Sequence, residues 1–376
     1  MQTFQAGELQ SVVDRHAQLD GLRAIAMCGV LYVHLFETNP ATEDLRVSLF
    51  FIISGFLITH VLCLAKDSGN VLHIGSFYMR RALRLFPALI VFVAVAAAGD
   101  MDGFRTSALW HLAQLSNIYF ALTQPIGPWQ PWVAGHLWSL NVVEQFYLVV
   151  PFLVIFLRRR HLLIIAASIW IAAVFARVNA EHLGVASDFI WNVLCYDPIF
   201  AGVIARLLLF DARLASVARA RRGTIFALAV LASPLVLWAD FGHSESYRLL
   251  VQPALALIVM QAYLGFCGPV GAILGSRTAR FFAQISYGVY MYHLAIWWVF
   301  ATIDPVLFTP GVTALVVVSA VSVIAATLSF YLVERPVSRL KRHFPIAAAR
   351  CNPAGHVAGL GPAAASLPAP ANLRAP

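Results

Sequence analysis

The chain has 376 residues, 60% of them hydrophobic and only 12% charged, about half the ~25% charge of an ordinary soluble domain. That excludes a water-soluble globular protein, because a closed core cannot absorb so much apolar sequence and the surplus must face lipid. The net charge of +8 does not point to a nucleic-acid partner, because the basic residues sit in short stretches between apolar runs, where they orient a membrane protein.

Residues 1–18 are polar, and the first apolar run follows Arg23 without a small-residue cleavage site, which argues against a cleavable signal peptide. Ten runs then have the length and composition of membrane spans: Leu22–Glu37, Leu45–Ala65, Leu83–Ala98, Leu137–Leu157, His161–Val178, Phe189–Phe210, Thr224–Ala239, Leu249–Cys267, Gln284–Ala301 and Gly311–Val333. Residues 104–122 are too polar for a lipid-exposed span, with Ser107, His111, Gln114, Ser116 and Asn117 among them, and suit an interfacial or re-entrant segment. With both termini in the cytoplasm, Arg46, Arg105, Arg177 and Arg248 fall in outer loops or the adjoining helix ends. Most of the 26 basic residues then lie inside. The expected fold is an all-α polytopic bundle of about ten transmembrane helices. It has a polar N-terminus over 1–18, a membrane domain over 19–343 and a disordered Ala/Pro/Gly-rich tail over 344–376.

Cys28, Cys63, Cys195, Cys267 and Cys351 form no CxxC or CxxH pair, so neither a disulfide framework nor a metal site is expected, and Cys28 reads as a small helix-packing residue.

The informative residues are polar ones at membrane depth, each costly there without a partner or a role. Arg23 and His34 are eleven residues apart, about 20° from a whole number of turns, so they share one helix face with a rise of roughly 16 Å between them. His34 is a candidate general base and Arg23 a ligand-positioning group; the alternative is a buried, structurally bonded histidine. Arg80, Arg81 and Arg84 stack three guanidinium groups in one patch, either a phosphate-binding fork or a topology anchor. GHLWSLNVVEQFYLVVP at 135–151 carries His136, Ser139, Glu144 and Gln145. Glu144 and Asp197 are the carboxylates deep in spans, and Glu144 is expected to pair with His34 or Arg23. ISYGVYMYHLAI at 285–296 carries Tyr287, Tyr290, Tyr292 and His293.

Taken in order, these stretches resemble the acyltransferase-3 family of membrane O-acyltransferases. LDGLRAIA at 19–26 with His34 is similar to its Arg-x10-His signature, FFIISGFLIT at 50–59 to its second-helix motif, and FYMRRALRLFPAL at 77–89 to its Arg-Arg-x-x-Arg motif. HLWSLNVVEQFY, SYGVYMYH and YLVERP at 331–336 follow in family order. Two positions depart from the pattern: Val143 stands where the first of two acidic residues is usual, and Cys195 where an arginine often precedes Asp197.

The resemblance implies a ten-helix fold in a bacterial inner membrane, with catalysis around His34, Arg23 and Glu144. It implies a cytoplasmic acyl-CoA co-substrate whose phosphates meet Arg80, Arg81 and Arg84, and no permanently bound cofactor. His136, Ser139, Asp197, Tyr287, Tyr290 and His293 remain as substrate-contacting or structural polar residues. The expected activity is transfer of an acyl group, acetyl favoured, from acyl-CoA to a hydroxyl of a cell-surface or secreted glycan, glycolipid or lipo-oligosaccharide. The alternative is a transporter or flippase for a lipid-linked glycan or small solute, whose polar residues line a pathway without chemistry.

Overall fold

In a computed structural model of the protein, the described residues are 16–36, 40–67, 71–123, 130–179, 195–221, 223–224, 227, 248–345 and 347–348. Backbone groups at membrane depth have no water to bond, so apolar runs close their hydrogen bonds internally as helices. The helices are α1 (Ala17–Leu35), α2 (Pro40–Asp67), α3 (Ile74–Ala98), α4 (Ala108–Leu112), α5 (Ser116–Thr123), α6 (Leu137–Phe156), α7 (Arg159–Val178), α8 (Asp197–Leu208), α9 (Ala212–Ala220), α10 (Arg248–Leu264), α11 (Gly268–Leu274), α12 (Arg277–Ile303), α13 (Val312–Ser329) and α14 (Arg335–Ser338). The β structure among the described residues is one two-residue antiparallel pair, Val71–Leu72 with Ala347–Ala348.

Five helical stretches are long and apolar enough to cross a membrane: 44–67, 74–98, 137–156, 159–178 and 312–343. A sixth is added if α10 and α11, bent 85° at Gly265–Cys267, form one broken span. The described residues therefore give an all-helical membrane chain with five or six candidate spans rather than the ten expected. The difference has identifiable sources. The expected span Thr224–Ala239 lies almost wholly outside the described residues, as do 1–15 and 349–376. The first residues of the sixth expected span, Phe189–Phe210, also lie outside the described residues, and α8 covers Asp197–Leu208 of it. Helices α1 and α12 are not among the five, because Asp20, Arg23 and His34 on the first, and the tyrosines, arginines and His293 on the second, interrupt their apolar character.

Helix α2 packs most extensively against α8. A Cβ on Gly55 would lie 2.0 Å from the Ile199 carbonyl oxygen, and one on Gly202 would lie 2.1 Å from the Ile52 carbonyl oxygen. The two helices thus touch backbone to backbone at reciprocal glycines, in the manner of small-residue contacts between membrane helices.

That contact places the N-terminus of α8 beside a buried ion cluster. Asp44 Oδ1 on α2 lies 2.6 Å from Arg248 Nη1 on α10. Asp197 at the start of α8 accepts from Arg177 Nε on α7 at 3.0 Å, and Arg248 Nη1 lies 3.8 Å from its other oxygen. Gln252 donates to Asp197 and accepts from Trp170 Nε1 at 2.7 Å. Two aspartates balance two arginines in this cluster, and four helices are joined. Arg46, Arg177 and Arg248, expected at the outer loops and adjoining helix ends, are all buried inside the bundle. They do stand at helix ends, Arg46 near the start of α2, Arg177 in the last turn of α7 and Arg248 at the first residue of α10, but a run of residues shows where a charge begins a helix, not which helix it faces. Guanidinium groups from α7 and α10 serve Asp197 where Cys195 stands in place of a local arginine.

Removing one member of a buried pair leaves an uncompensated charge, at a cost of about 3–5 kcal/mol. Asp197→Ala is therefore expected to lower the thermal unfolding midpoint of the detergent-purified protein markedly or to abolish its monodisperse elution. An unchanged midpoint would contradict a structural role for the cluster.

Candidate active site

The last turn of α1 presents His34 to the middle of α12. His34 Nδ1 lies 2.7 Å from His293 Nε2, and Arg46 Nη2 on α2 lies 2.9 Å from His34 Nε2. His293 Nδ1 lies 2.7 Å from the Tyr290 carbonyl oxygen. The proton positions follow from what each group can do. A carbonyl only accepts, so His293 Nδ1 carries hydrogen; a guanidinium only donates, so His34 Nε2 accepts. With both rings neutral, Arg46 donates to His34, His34 Nδ1–H to His293 Nε2, and His293 Nδ1–H to Tyr290. The two imidazoles stack, with centroids 5.0 Å apart and 5° between planes, and His136 meets His293 edge-on at 5.1 Å.

A second chain of bonds adjoins the first. Tyr290 Oη donates to the His136 carbonyl at 2.7 Å, so the Ser139 hydroxyl, 2.7 Å away, donates to Tyr290 Oη. His34, His136, Ser139, Tyr290 and His293, taken from three helices, thus form one polar group.

A cavity of about 120 Å³, counted as space open to the centre of a water-sized sphere, runs beside it. Helix α6 lines it with Ser139, Leu140, Val143, Glu144 and Tyr147, a single helical stripe whose ends are about 12 Å apart. Arg46, Gln114, Ser139 and Tyr290 line the cavity, as do Arg23, Arg81 and Arg84. Arg81 lies over the Tyr147 ring at 4.5 Å. Arg84 lines the cavity and has accessible surface. His34 is not itself a lining residue. It is joined to the cavity through Arg46, which touches both.

Several expected placements change. Arg80 does not line the cavity with Arg81 and Arg84; it donates to the carbonyls of Lys341 and Phe344, tying α3 to the turn after α14. Glu144 pairs with neither His34 nor Arg23. The ring nitrogens of His34 are taken by His293 and Arg46, and Arg23 pairs with Asp20 one turn away at 3.1 Å. Glu144 nevertheless reaches the cavity, as does Val143, so the one-residue shift of the acidic position keeps its carboxylate on the lining stripe. Tyr287 lines the cavity and donates to the Leu85 carbonyl at 3.0 Å. Asp197 belongs to the ion cluster and does not line the cavity. Cys28 is exposed rather than packed. The closing motif falls on a π-helical turn, Phe330–Glu334, where Ser329 donates to Glu334 at 3.1 Å and meets Tyr292 at 2.7 Å.

The polar segment over 101–123 is a broken helix held against α6. Asn117 and Gln145 exchange two amide hydrogen bonds at 3.0 and 2.9 Å, and Asn141 donates to Gln114 at 2.7 Å. Buried His111 bridges Ser107 and Ser116. Gln114 adopts a φ of 60°, a conformation that costs a non-glycine residue, and this turns its side chain to the cavity. Asp102 accepts from the Trp132 N–H and so joins this segment to the one before α6. Burial raises the Asp102 carboxyl above its ordinary range, with that hydrogen bond opposing the shift.

Among the cavity residues that sequence reasoning missed are Arg46 and Gln114. A signal existed for Arg46, since it lies inside a helix that begins at Pro40, one turn before the FFIISGFLIT motif.

A family model described as an acyltransferase domain matches residues 16–334. The chain is 26% identical over 373 residues to the peptidoglycan O-acetyltransferase OatA of Listeria monocytogenes, covering 85% of this chain and 55% of that protein. It is 27% identical over 344 residues to a Bacillus subtilis protein named as a candidate peptidoglycan O-acetyltransferase, with 85% and 54% covered. It is 32% identical over 192 residues to a Staphylococcus aureus (strain COL) protein named as a candidate O-acetyltransferase, with 46% and 30% covered. The chain thus spans between about a third and a half of the length of these relatives. No solved structure matches it.

The histidine pair is open to a double-mutant cycle. His293→Phe leaves the His34 Nδ1–H without an acceptor, at a cost of about 1–3 kcal/mol. His34→Phe with His293→Phe is expected to lose less stability than the two single losses together, because neither ring then strands a nitrogen of the other. Thermal unfolding in detergent measures this, and strictly additive losses would contradict the pairing.

Proposed function

Because this chain belongs to the acyltransferase domain family, we propose that it is a membrane O-acyltransferase moving an acyl group, acetyl favoured, from acyl-CoA to a glycan hydroxyl. The observation that carries the reading is the single cavity shared by a cluster of guanidinium groups and the group around His34. Arg81 and Arg84, with Arg23, supply donors suited to phosphate. The cavity stripe of about 12 Å and the rise of roughly 16 Å from Arg23 to His34 compare with a pantetheine arm on the order of 15–20 Å long, by the same kind of geometric count. A donor anchored at the arginines would therefore bring its thioester to the Arg46, Ser139 and Tyr290 end.

In this reading the chain sits in a bacterial inner membrane with both termini in the cytoplasm, and acyl-CoA enters from the cytoplasmic side. The acceptor comes to the end roofed by Gln114. His34 accepts the acceptor's hydroxyl proton, the oxygen attacks the thioester carbonyl, and the C–S bond breaks as the thiolate takes the proton back. Glu144, on the lining stripe about 7.5 Å along α6 from Ser139, faces the arm of the donor. The name of the Listeria relative makes a peptidoglycan sugar one acceptor of the proposed class; a glycolipid or lipo-oligosaccharide hydroxyl is chemically equivalent.

Envelope vesicles carrying the protein are expected to transfer label from radioactive acetyl-CoA to glycan, and His34→Ala vesicles to lose this activity. Mass spectrometry of the glycans would then show the acyl mass only with the unaltered chain. Arg84→Ala is expected to raise KM for acetyl-CoA about tenfold or more with little change in kcat, as loss of one charge-assisted contact does. Equal acylation with His34→Ala would overturn the catalytic assignment. Solute flux without label transfer would favour a transporter.

A further inference from the structure

Arg46 holds the one imidazole nitrogen that general-base catalysis needs. His34 Nδ1 carries hydrogen toward His293, so its Nε2 is the lone pair left to take a proton, and Arg46 Nη2 caps it at 2.9 Å. While that contact stands, an acceptor hydroxyl cannot deliver its proton to His34. Once protonated, His34 would carry a positive charge against a guanidinium. Both facts require Arg46 to leave His34 during the reaction.

The structure shows where it can go. Arg46 lines the cavity together with Ser139, Gln114 and Tyr290. The lining groups named with it are neutral: Ser139 and Tyr290 hydroxyls are bonded to each other, and Gln114 Oε1 accepts from Asn141. Along the α2 wall the lining residues run Arg46, Val47, Phe50, Phe51 and Ser54, so Arg46 is the cationic group of that wall. A guanidinium carries five N–H donors in a fork and can exchange partners by a small side-chain rotation.

We propose that Arg46 is a catalytic residue with two coupled tasks: it caps the base in the resting protein, and it transfers to the thioester carbonyl oxygen when donor arrives. This rests on the acyl-transfer reading above. The step balances as follows. Arg46 leaves His34 Nε2 for the carbonyl oxygen. The acceptor oxygen loses its proton to Nε2 and bonds to the carbonyl carbon, whose π electrons move onto the oxygen held by Arg46. The oxyanion then collapses, the C–S bond breaks, and the thiolate takes the proton from His34. Without donor the base stays covered, so the imidazole does not activate water in an empty site.

The test measures initial rates of label transfer from radioactive acetyl-CoA to glycan in envelope vesicles, normalised to the amount of monodisperse protein. Arg46→Met keeps length and loses every donor. Its maximal rate is expected to fall about 10²–10³-fold, the effect of removing an oxyanion donor, with KM for acetyl-CoA changed less than about threefold. Arg46→Lys keeps the charge without the fork and is expected to fall between the two. The cap is read separately. Without acetyl-CoA, diethylpyrocarbonate is expected to modify His34 faster in Arg46→Met than in the unaltered chain, scored by peptide mass spectrometry.

A maximal rate in Arg46→Met within twofold of the unaltered chain, or equal modification of His34 in both, overturns the proposal. If Arg46→Met is not monodisperse, an unchanged maximal rate in Arg46→Lys overturns it. His34→Ala separates the two levels. If it is inactive while Arg46→Met is active, only the Arg46 assignment fails; if His34→Ala is active, the acyl-transfer reading of the site fails.

Discussion

A polar group below the lipid surface can be satisfied only by other protein groups, and the arrangement of this protein follows from that requirement. Asp44, Arg177, Asp197 and Arg248 are almost wholly enclosed, and they answer one another across four helices. His34 and His293 answer each other across two. Asn117 and Gln145 do the same through paired amides, which lets a segment too polar to span lipid settle against α6 instead. Apolar packing fills the space between these contacts. Polar pairing decides which helices are neighbours and in what register, because an apolar face slides at little cost and a buried ion pair does not.

The same requirement separates structural polar residues from those left for ligands. Arg23, Arg80 and Arg81 have protein partners: a carboxylate, a pair of carbonyls and an aromatic face. Among the described residues Arg84 and Glu144 make no hydrogen bond or ion pair, yet both stand on the wall of one cavity. In the acyl-transfer reading proposed above, the phosphates of acyl-CoA would meet Arg84 and its amide-bearing arm would lie beside Glu144.

Much of this was legible from residue order. The common face of Arg23 and His34 followed from their separation, and the family motifs marked α2, α3, α6 and α12 as the helices around the site. The polar segment near residues 104–122 was correctly read as something other than a span. What could not be read was partnership between helices. Helical periodicity gives the direction of a side chain within its own helix but not the helix it meets. Arg46, Arg177 and Arg248 therefore read as charges of outer loops and helix ends, and Arg80 was grouped with two neighbours although its guanidinium serves the carbonyls of Lys341 and Phe344. Glu144 was expected to pair with His34 or Arg23, yet the nitrogens of His34 are held by residues 12 and 259 positions away and Arg23 by Asp20. Partners that distant leave no local pattern.

The position of His34 shows why such long-range contacts matter for reactivity. An imidazole alone in an apolar site would be free to rotate and to present either nitrogen. Here the Tyr290 carbonyl sets the hydrogen on His293, which in turn sets it on His34, so the direction of one backbone carbonyl determines which nitrogen of His34 is basic. That carbonyl belongs to the residue whose hydroxyl anchors to His136 and receives Ser139. Tyr290 thus orients the base through its main chain and shapes the cavity wall through its side chain. A substitution at Tyr290 that keeps the helix removes the second role and preserves the first, because main-chain geometry in the middle of a 27-residue helix does not depend on the side chain.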